Sequence, residues 1–166
     1  TPRTGHSATL LASGRVLIAG GSETIVNPKI SASIEIYDPI TNTWAKAPSM
    51  SMERTFHSAT MLPSDGVLVT GGVSVNGSDV PNPELFDPTI NKWIKIASQG
   101  RVNTDSRSLA ATLLTSGKVR TLRSNQQVLE FDVGSRAHSG DPIVNSSAFW
   151  SCSCHWRNKG RRGCAL

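Results

Sequence analysis

The chain is poor in most of what specialised function classes need. Aromatic residues make up 5% of its 166 positions, with a single tyrosine, Tyr37. Its apolar runs are short, as at Val16–Ala19, and none approaches the roughly 18–20 residues that span a bilayer. No charged stretch followed by an apolar one opens the sequence, so no secretory signal is read there. No initiator methionine is present and a repeat is already under way, which reads as a fragment or a processed product. The three cysteines, Cys152, Cys154 and Cys164, all stand near the C-terminal end. The rest of the chain is therefore no disulfide scaffold. Cys152, Cys154, His155 and Cys164 are zinc-ligand types, but their spacing matches no familiar zinc framework, and no metal is expected.

Charge of one sign is also scarce where it would matter. The formal charge is +5, yet residues 1–119 hold ten Lys/Arg against nine Asp/Glu. The basic excess lies in residues 120–166, with seven against three. A nucleic-acid surface needs clustered Lys and Arg, with aromatics among them for single strands. Neither a nucleic acid nor a membrane is expected as a partner.

Glycine and proline are well represented, at 14 and 9 residues. With modest hydrophobicity, that composition suits short strands and turns better than long helices. The chain also repeats itself. His6-Ser7-Ala8-Thr9 returns as His57-Ser58-Ala59-Thr60, and Arg3 returns as Arg54. Gly20-Gly21 returns as Gly71-Gly72, Tyr37-Asp38-Pro39 as Phe86-Asp87-Pro88, and Trp44 as Trp93. The offset is 51 residues through the glycine pair and 49 afterwards. The connection between Gly21 and Tyr37 thus varies in length and is a loop.

Each copy divides into four strands: His6–Leu11, Val16–Ala19, Ser33–Tyr37 and one starting near Thr43. The all-apolar Val16–Ala19 reads as buried on both faces. Adjacent glycines reach backbone angles closed to other residues and admit a close neighbour. Asp38 and Asp87, ahead of proline, can bond the backbone of the following turn. Trp44 and Trp93 are expected to pack between neighbouring sheets, in equivalent and largely buried places.

This pattern resembles the kelch repeat. The double glycines, the aromatic ahead of Asp-Pro, and the tryptophan seven residues beyond that aromatic carry the resemblance over residues 1–98. It implies an all-β fold of propeller blades, each a four-stranded antiparallel sheet, in an incomplete ring. Residues 99–133 read as the degenerate start of a third blade. Ala110–Val119 follows Ser7–Val16, but Arg120-Thr121-Leu122 replaces the apolar run, and Arg123 and Ser124 replace the glycines. Charges in a strand meant to be buried are costly. A peripheral blade, an unrelated segment or a shifted reading frame near Val119 would each explain the change, and the last is favoured. Residues 134–166 read as an irregular, basic, cysteine-containing tail without a blade.

The recurring polar residues read as structural. His6 and His57 are expected to bridge strands, Glu35 and Glu84 to accept bonds from an arginine such as Arg54, and Ser7 not to meet the adjacent His6. A catalytic site is normally single, whereas a packing solution repeats with the repeat. No catalytic residue and no cofactor is expected. The resemblance implies a protein-interaction platform, with an unidentified protein partner and further blades supplied by the rest of a parent chain. Specificity is placed in the variable connections Ser22–Ala32 and Val73–Asn82, at Ser22, Glu23, Thr24, Asn27, Lys29, Ser74, Asn76 and Asp79. The alternatives are a piece of a galactose-oxidase-like or sugar-active enzyme without its catalytic residues, and a nonfunctional gene fragment.

Overall fold

The computed structural model describes residues 2–24, 26–96, 108–123 and 128–132. They form eleven strands and no helix. The first repeat gives β1 (Ser7–Leu10), β2 (Val16–Ala19), β3 (Ile34–Asp38) and β4 (Thr43–Ala47). The second gives β5 (Ser58–Met61), β6 (Val67–Thr70), β7 (Glu84–Asp87) and β8 (Lys92–Lys95). Each set pairs in chain order into a four-stranded antiparallel sheet. These are the blades that the sequence implied. The third sheet holds β9 (Ser108–Leu113), β10 (Lys118–Arg123) and β11 (Val128–Asp132), with β10 in the middle. The first strands of the sheets adjoin, β1 against β5 and β5 against β9. The three sheets do not close a ring.

Local chemistry sets the strand ends. Asp38 Oδ1 accepts the amides of Ile40 and Thr41 at 2.9 and 3.3 Å, and Asp87 Oδ1 those of Thr89 and Ile90 at 2.8 and 3.4 Å. Each aspartate so folds the turn between the third and fourth strands. Tyr37 lies across from Trp44 and Phe86 across from Trp93, with ring centroids 4.9 and 5.2 Å apart. Such aromatic cross-strand pairs stabilise a sheet locally.

The sheets stack through two apolar layers. Leu17, Ala19, Ile34 and Ile36 of the first sheet meet Val67, Val69 and Phe86 of the second, with Leu11 and Met50 beside them. Leu68 and Leu85, on the opposite face of the second sheet, meet Val119 of the third. Position in the stack therefore decides burial. β6 is buried at every residue, whereas β2 is fully buried only at Leu17 and Ala19. The expectation that Val16–Ala19 is covered on both faces is corrected, because Val16 and Ile18 face the open side of the stack.

The tryptophans show the same effect. Trp93 packs against the first apolar layer, and its Nε1 donates to the Pro48 carbonyl at 2.7 Å. Trp44 is 60% exposed. Their strand positions match, but the expectation of equal burial fails: Trp93 has the first sheet to pack on, and Trp44 has no sheet in front of it among the described residues.

The third sheet keeps the register of the repeat. The apolar pairs Leu17/Ile36 and Leu68/Leu85 have as their counterpart Arg120/Glu130. Arg120 Nη2 reaches Glu130 Oε2 at 2.9 Å, and Lys118 Nζ reaches Oε1 at 3.1 Å. Hydrogen bonds from Arg120 and Lys118 hold the Glu130 carboxyl below its ordinary range. Arg120 is thus no buried charge but half of an exposed ion pair, which corrects the expectation of an interior cost. β10 and β11 pair without a shift from Lys118↔Asp132 to Leu122↔Val128, while β9 and β10 shift register at Leu122/Arg123. The tail, residues 134–166, lies outside the described residues.

Candidate functional site

The joint between the first two sheets is built by recurring polar residues. Gly20 and Gly21 have φ values of 60° and 92°, and Gly71 and Gly72 of 67° and 94°. A Cβ on Gly20 would lie 2.4 Å from the Arg54 carbonyl oxygen, and one on Gly21 2.8 Å from that of Thr4. The Gly21 amide donates to the Arg54 carbonyl at 2.9 Å. The glycine pair lets the end of β2 touch the backbone that enters the second sheet.

Arg3 and Arg54 each clamp their own sheet. Arg3 donates to Glu35 at 2.8 Å and to the Gly20 carbonyl at 3.0 Å. Arg54, fully buried, donates to Glu84 at 2.6 Å, the Gly71 carbonyl at 3.1 Å and the Asn82 carbonyl at 3.1 Å. Glu84 in turn accepts the Ser51 amide at 2.7 Å. Burial lowers the Arg54 pKa, while the charge of Glu84 and its hydrogen bond act the other way.

His57 bridges the two sheets, with Nε2 2.8 Å from Ser7 Oγ. Burial, then the charges of Arg54 and His6, pull its pKa down to about 4, against a weaker opposing effect of the Arg54 backbone. The ring is therefore neutral at pH 7. A serine–histidine contact invites a nucleophilic reading, but that chemistry also needs a group orienting the other ring nitrogen. His57 Nδ1 is buried and meets no side-chain hydrogen-bond partner among the described residues, only the Arg54 backbone. The pair acts as a tie between sheets. His6 Nδ1 lies 3.2 Å from the Arg3 carbonyl oxygen in a more open setting. Among the described residues no group of three His, Cys, Asp or Glu is placed to hold a metal ion, and no helix is long and apolar enough to cross a membrane.

At the loop end of this joint lies a cleft of about 450 Å³. Thr4, Ser22, Thr24, Pro28 and Ile30 line it from the first repeat; Thr55, Phe56, Val73, Ser74, Val75 and Gly77 line it from the second. Backbone bridges hold its walls, with Ser22 paired to Thr4 and Ile30, and Val73 to Thr55 and Asp79. Of the loop residues singled out in the sequence, Ser22, Thr24 and Ser74 line the cleft. Glu23 and Lys29 pair with each other at 3.0 Å at the surface. Asn27 takes a turn at φ 53°. Asn76 Oδ1 is engaged by Ser74 Oγ and by the Ser78 amide, so its side chain shapes the turn. Asp79 belongs to the wall through its backbone.

Sequence reasoning missed Phe56. It is 67% exposed, and its φ is 54°. The matched residue of the first repeat is Gly5, with φ 64°. The signal was present: an aromatic stands where the other copy has glycine. Pro28, Ile30, Val73, Val75 and Gly77 lie within the two variable connections without having been singled out there, and Thr4 and Thr55 lie outside them, because lining depends on how two loops face each other.

Residues 2–51 match the model of the Kelch motif. Kelch-like protein 15 of Homo sapiens, and that of Mus musculus, are 32% identical over 84 residues, covering 48% of this chain and 14% of the relative. An F-box/kelch-repeat protein of Arabidopsis thaliana is 32% identical over 75 residues, covering 45% of this chain and 20% of that one. With the blades and their glycine and aromatic signatures, these matches support a kelch-repeat family for the chain. It spans about a seventh of the length of Kelch-like protein 15, at 14%.

Proposed function

We propose that the chain is a protein-interaction module whose partner seats in the cleft between the first two sheets. One observation carries this reading: the connections that differ between the repeats converge, through the glycine joint, on one surface depression with apolar walls. Rigid strands presenting variable loops are how a repeat scaffold separates stability from specificity. The glycines, arginine clamps, Asp-Pro turns and aromatic pairs repeat because they build blades. Apart from the matched Thr4 and Thr55, the cleft lining differs between the repeats, because it serves contact. Further blades from a parent chain complete the platform in this reading.

Site-specific photo-crosslinking in the longest available form of the protein tests it. A photoreactive residue at Val75 in the cleft, 61% exposed, is compared with one at Ile40 on the β3–β4 turn, 90% exposed. Protein crosslinks from Val75 and none from Ile40 support the cleft. Equal crosslinking from both sites overturns it, as does a partner captured by a peptide of residues 134–166 alone.

A further inference from the structure

The loop after β6 carries chemistry of its own, whatever the cleft receives. Asn76 and Gly77 form an Asn-Gly step, and no other asparagine of the chain precedes a glycine. Asn27 and Asn82 precede proline, whose nitrogen has no proton to lose. Asn42 and Asn91 precede Thr43 and Lys92, whose side chains crowd the nitrogen behind them. Gly77 leaves its nitrogen uncovered: its φ is 78°, and a Cβ built on it would meet nothing within 4 Å. Asn76, Gly77 and Ser78 are all exposed, so water reaches the step.

The turn adds what the dipeptide alone lacks. The Ser78 amide donates to Asn76 Oδ1 at 3.0 Å. That bond folds the asparagine side chain back across the Gly77 amide, as an Asx turn does. Ser74 Oγ is a second donor to the same oxygen. Attack on Asn76 Cγ places negative charge on this oxygen, and both donors already point at it. One bond acts in the other direction. The Gly77 amide donates to the Ser74 carbonyl at 2.9 Å, and that bond is lost when the nitrogen gives up its proton. It joins two neutral groups, whereas the two donors come to serve a charged oxygen, and charge-assisted bonds are roughly twice as strong. The donors therefore prevail.

We propose that Asn76 is a site of self-modification, in which the Gly77 nitrogen displaces the Asn76 side-chain amide while Ser74 and Ser78 stabilise the charge that forms. The Gly77 N–H gives its proton to solvent, and the nitrogen bonds to Asn76 Cγ. The Cγ–Nδ2 bond then breaks, and Nδ2 takes a proton from solvent and leaves as ammonia. The product is a cyclic succinimide. Water adds to either of its carbonyls, and the ring opens to aspartate or to isoaspartate, in which the main chain runs through the former side chain. No electrons are exchanged overall: a water enters and an ammonia departs. Either product adds a negative charge to the wall that Asp79 shares through its pairing with Val73. Isoaspartate also adds a carbon to the main chain inside the span that the Ser74 amide closes on the Ser78 carbonyl at 2.9 Å, so this wall of the cleft must rearrange.

The test ages the full chain at neutral pH, below its unfolding midpoint, and maps its peptides by mass spectrometry with isoaspartate methyltransferase labelling. An acid is expected at position 76, as aspartate and isoaspartate together, while Asn42 and Asn91 keep their amides. Ser74→Ala removes the hydroxyl but keeps the carbonyl that holds the Gly77 amide. It is expected to slow the conversion about tenfold, less than in an enclosed oxyanion site because this turn lies in water. Ser74→Thr restores a hydroxyl and is expected to recover most of the rate. An Asn76 that keeps its amide overturns the proposal. So does aspartate without isoaspartate, which marks direct hydrolysis by water. A conversion in Ser74→Ala that is unchanged or faster overturns it as well, since the hydroxyl would then be idle or a brake.

Discussion

Replacing Arg54 with alanine is expected to cost more than any other single truncation in the second sheet. Arg54 is the largest fully buried side chain among the described residues. Its guanidinium ties Glu84, itself 4% exposed, to the carbonyls of Gly71 and Asn82. In Arg54→Ala, Glu84 keeps the Ser51 amide but loses its counter-charge in a buried setting. Removing one partner of a buried pair costs about 3–5 kcal/mol. Two carbonyls also lose a donor. Set against a total stability of about 5–15 kcal/mol, the loss removes a large fraction of it. A second variant separates this from simple loss of packing. Arg54→Met with Glu84→Leu removes both charges, so the double loss should be smaller than the sum of the single losses. Urea unfolding followed by tryptophan fluorescence measures the original protein, Arg54→Ala, Arg54→Met, Glu84→Leu and the double variant. A loss below about 1 kcal/mol in Arg54→Ala refutes the clamp, the expected cost being about 3 kcal/mol or more. Strict additivity in the double variant refutes the charge argument.

His57 makes stability depend on pH. Its folded pKa of about 4 lies below the ordinary 6.5, so between those values the unfolded chain takes up a proton that the folded one refuses. Stability then falls as pH drops through that window, by roughly 3 kcal/mol in all, and this group contributes no slope above pH 7. His57→Gln should flatten the urea midpoint between pH 6.5 and 4.5 relative to the original protein, and an unchanged slope would contradict the assignment. Gly20→Ala should lose about 3 kcal/mol or more through its clash with the Arg54 carbonyl, whereas Gly14→Ala, at φ 79° with open space around it, should lose only about 1 kcal/mol. Equal thermal shifts for the two would show that close approach does not matter. Trp93→Ala should cost about 2 kcal/mol or more and Trp44→Ala about 0.5 kcal/mol or less, which chemical denaturation can rank. Arg120→Leu with Glu130→Leu restores the apolar pair of the other two sheets on an open face; it should raise concentration-dependent association in sedimentation runs, and a monomer at all concentrations would count against an exposed outer face.

The sequence by itself determined whatever is local. The glycine pairs announced positive φ, Asp-Pro announced a turn closed by the aspartate, and the four-strand period announced antiparallel blades. These follow from backbone geometry and short-range hydrogen bonds, which neighbouring residues settle among themselves. The arginine–glutamate pairing was legible for a similar reason, since both members recur with the repeat. Only the tertiary structure decided how alike residues are used. Trp44 and Trp93 occupy one position in the motif, yet a sheet covers one and leaves the other open. Leu17, Leu68 and Arg120 share a register position, and the first two are buried because another sheet lies over them. Ser7 finds His57, not its neighbour His6, because adjacent side chains on a strand point to opposite faces while stacked sheets bring distant ones together. The cleft was invisible for the same reason. Its lining comes from two loops some fifty residues apart, and burial, contact and strain there depend on which surfaces the stacked sheets bring face to face.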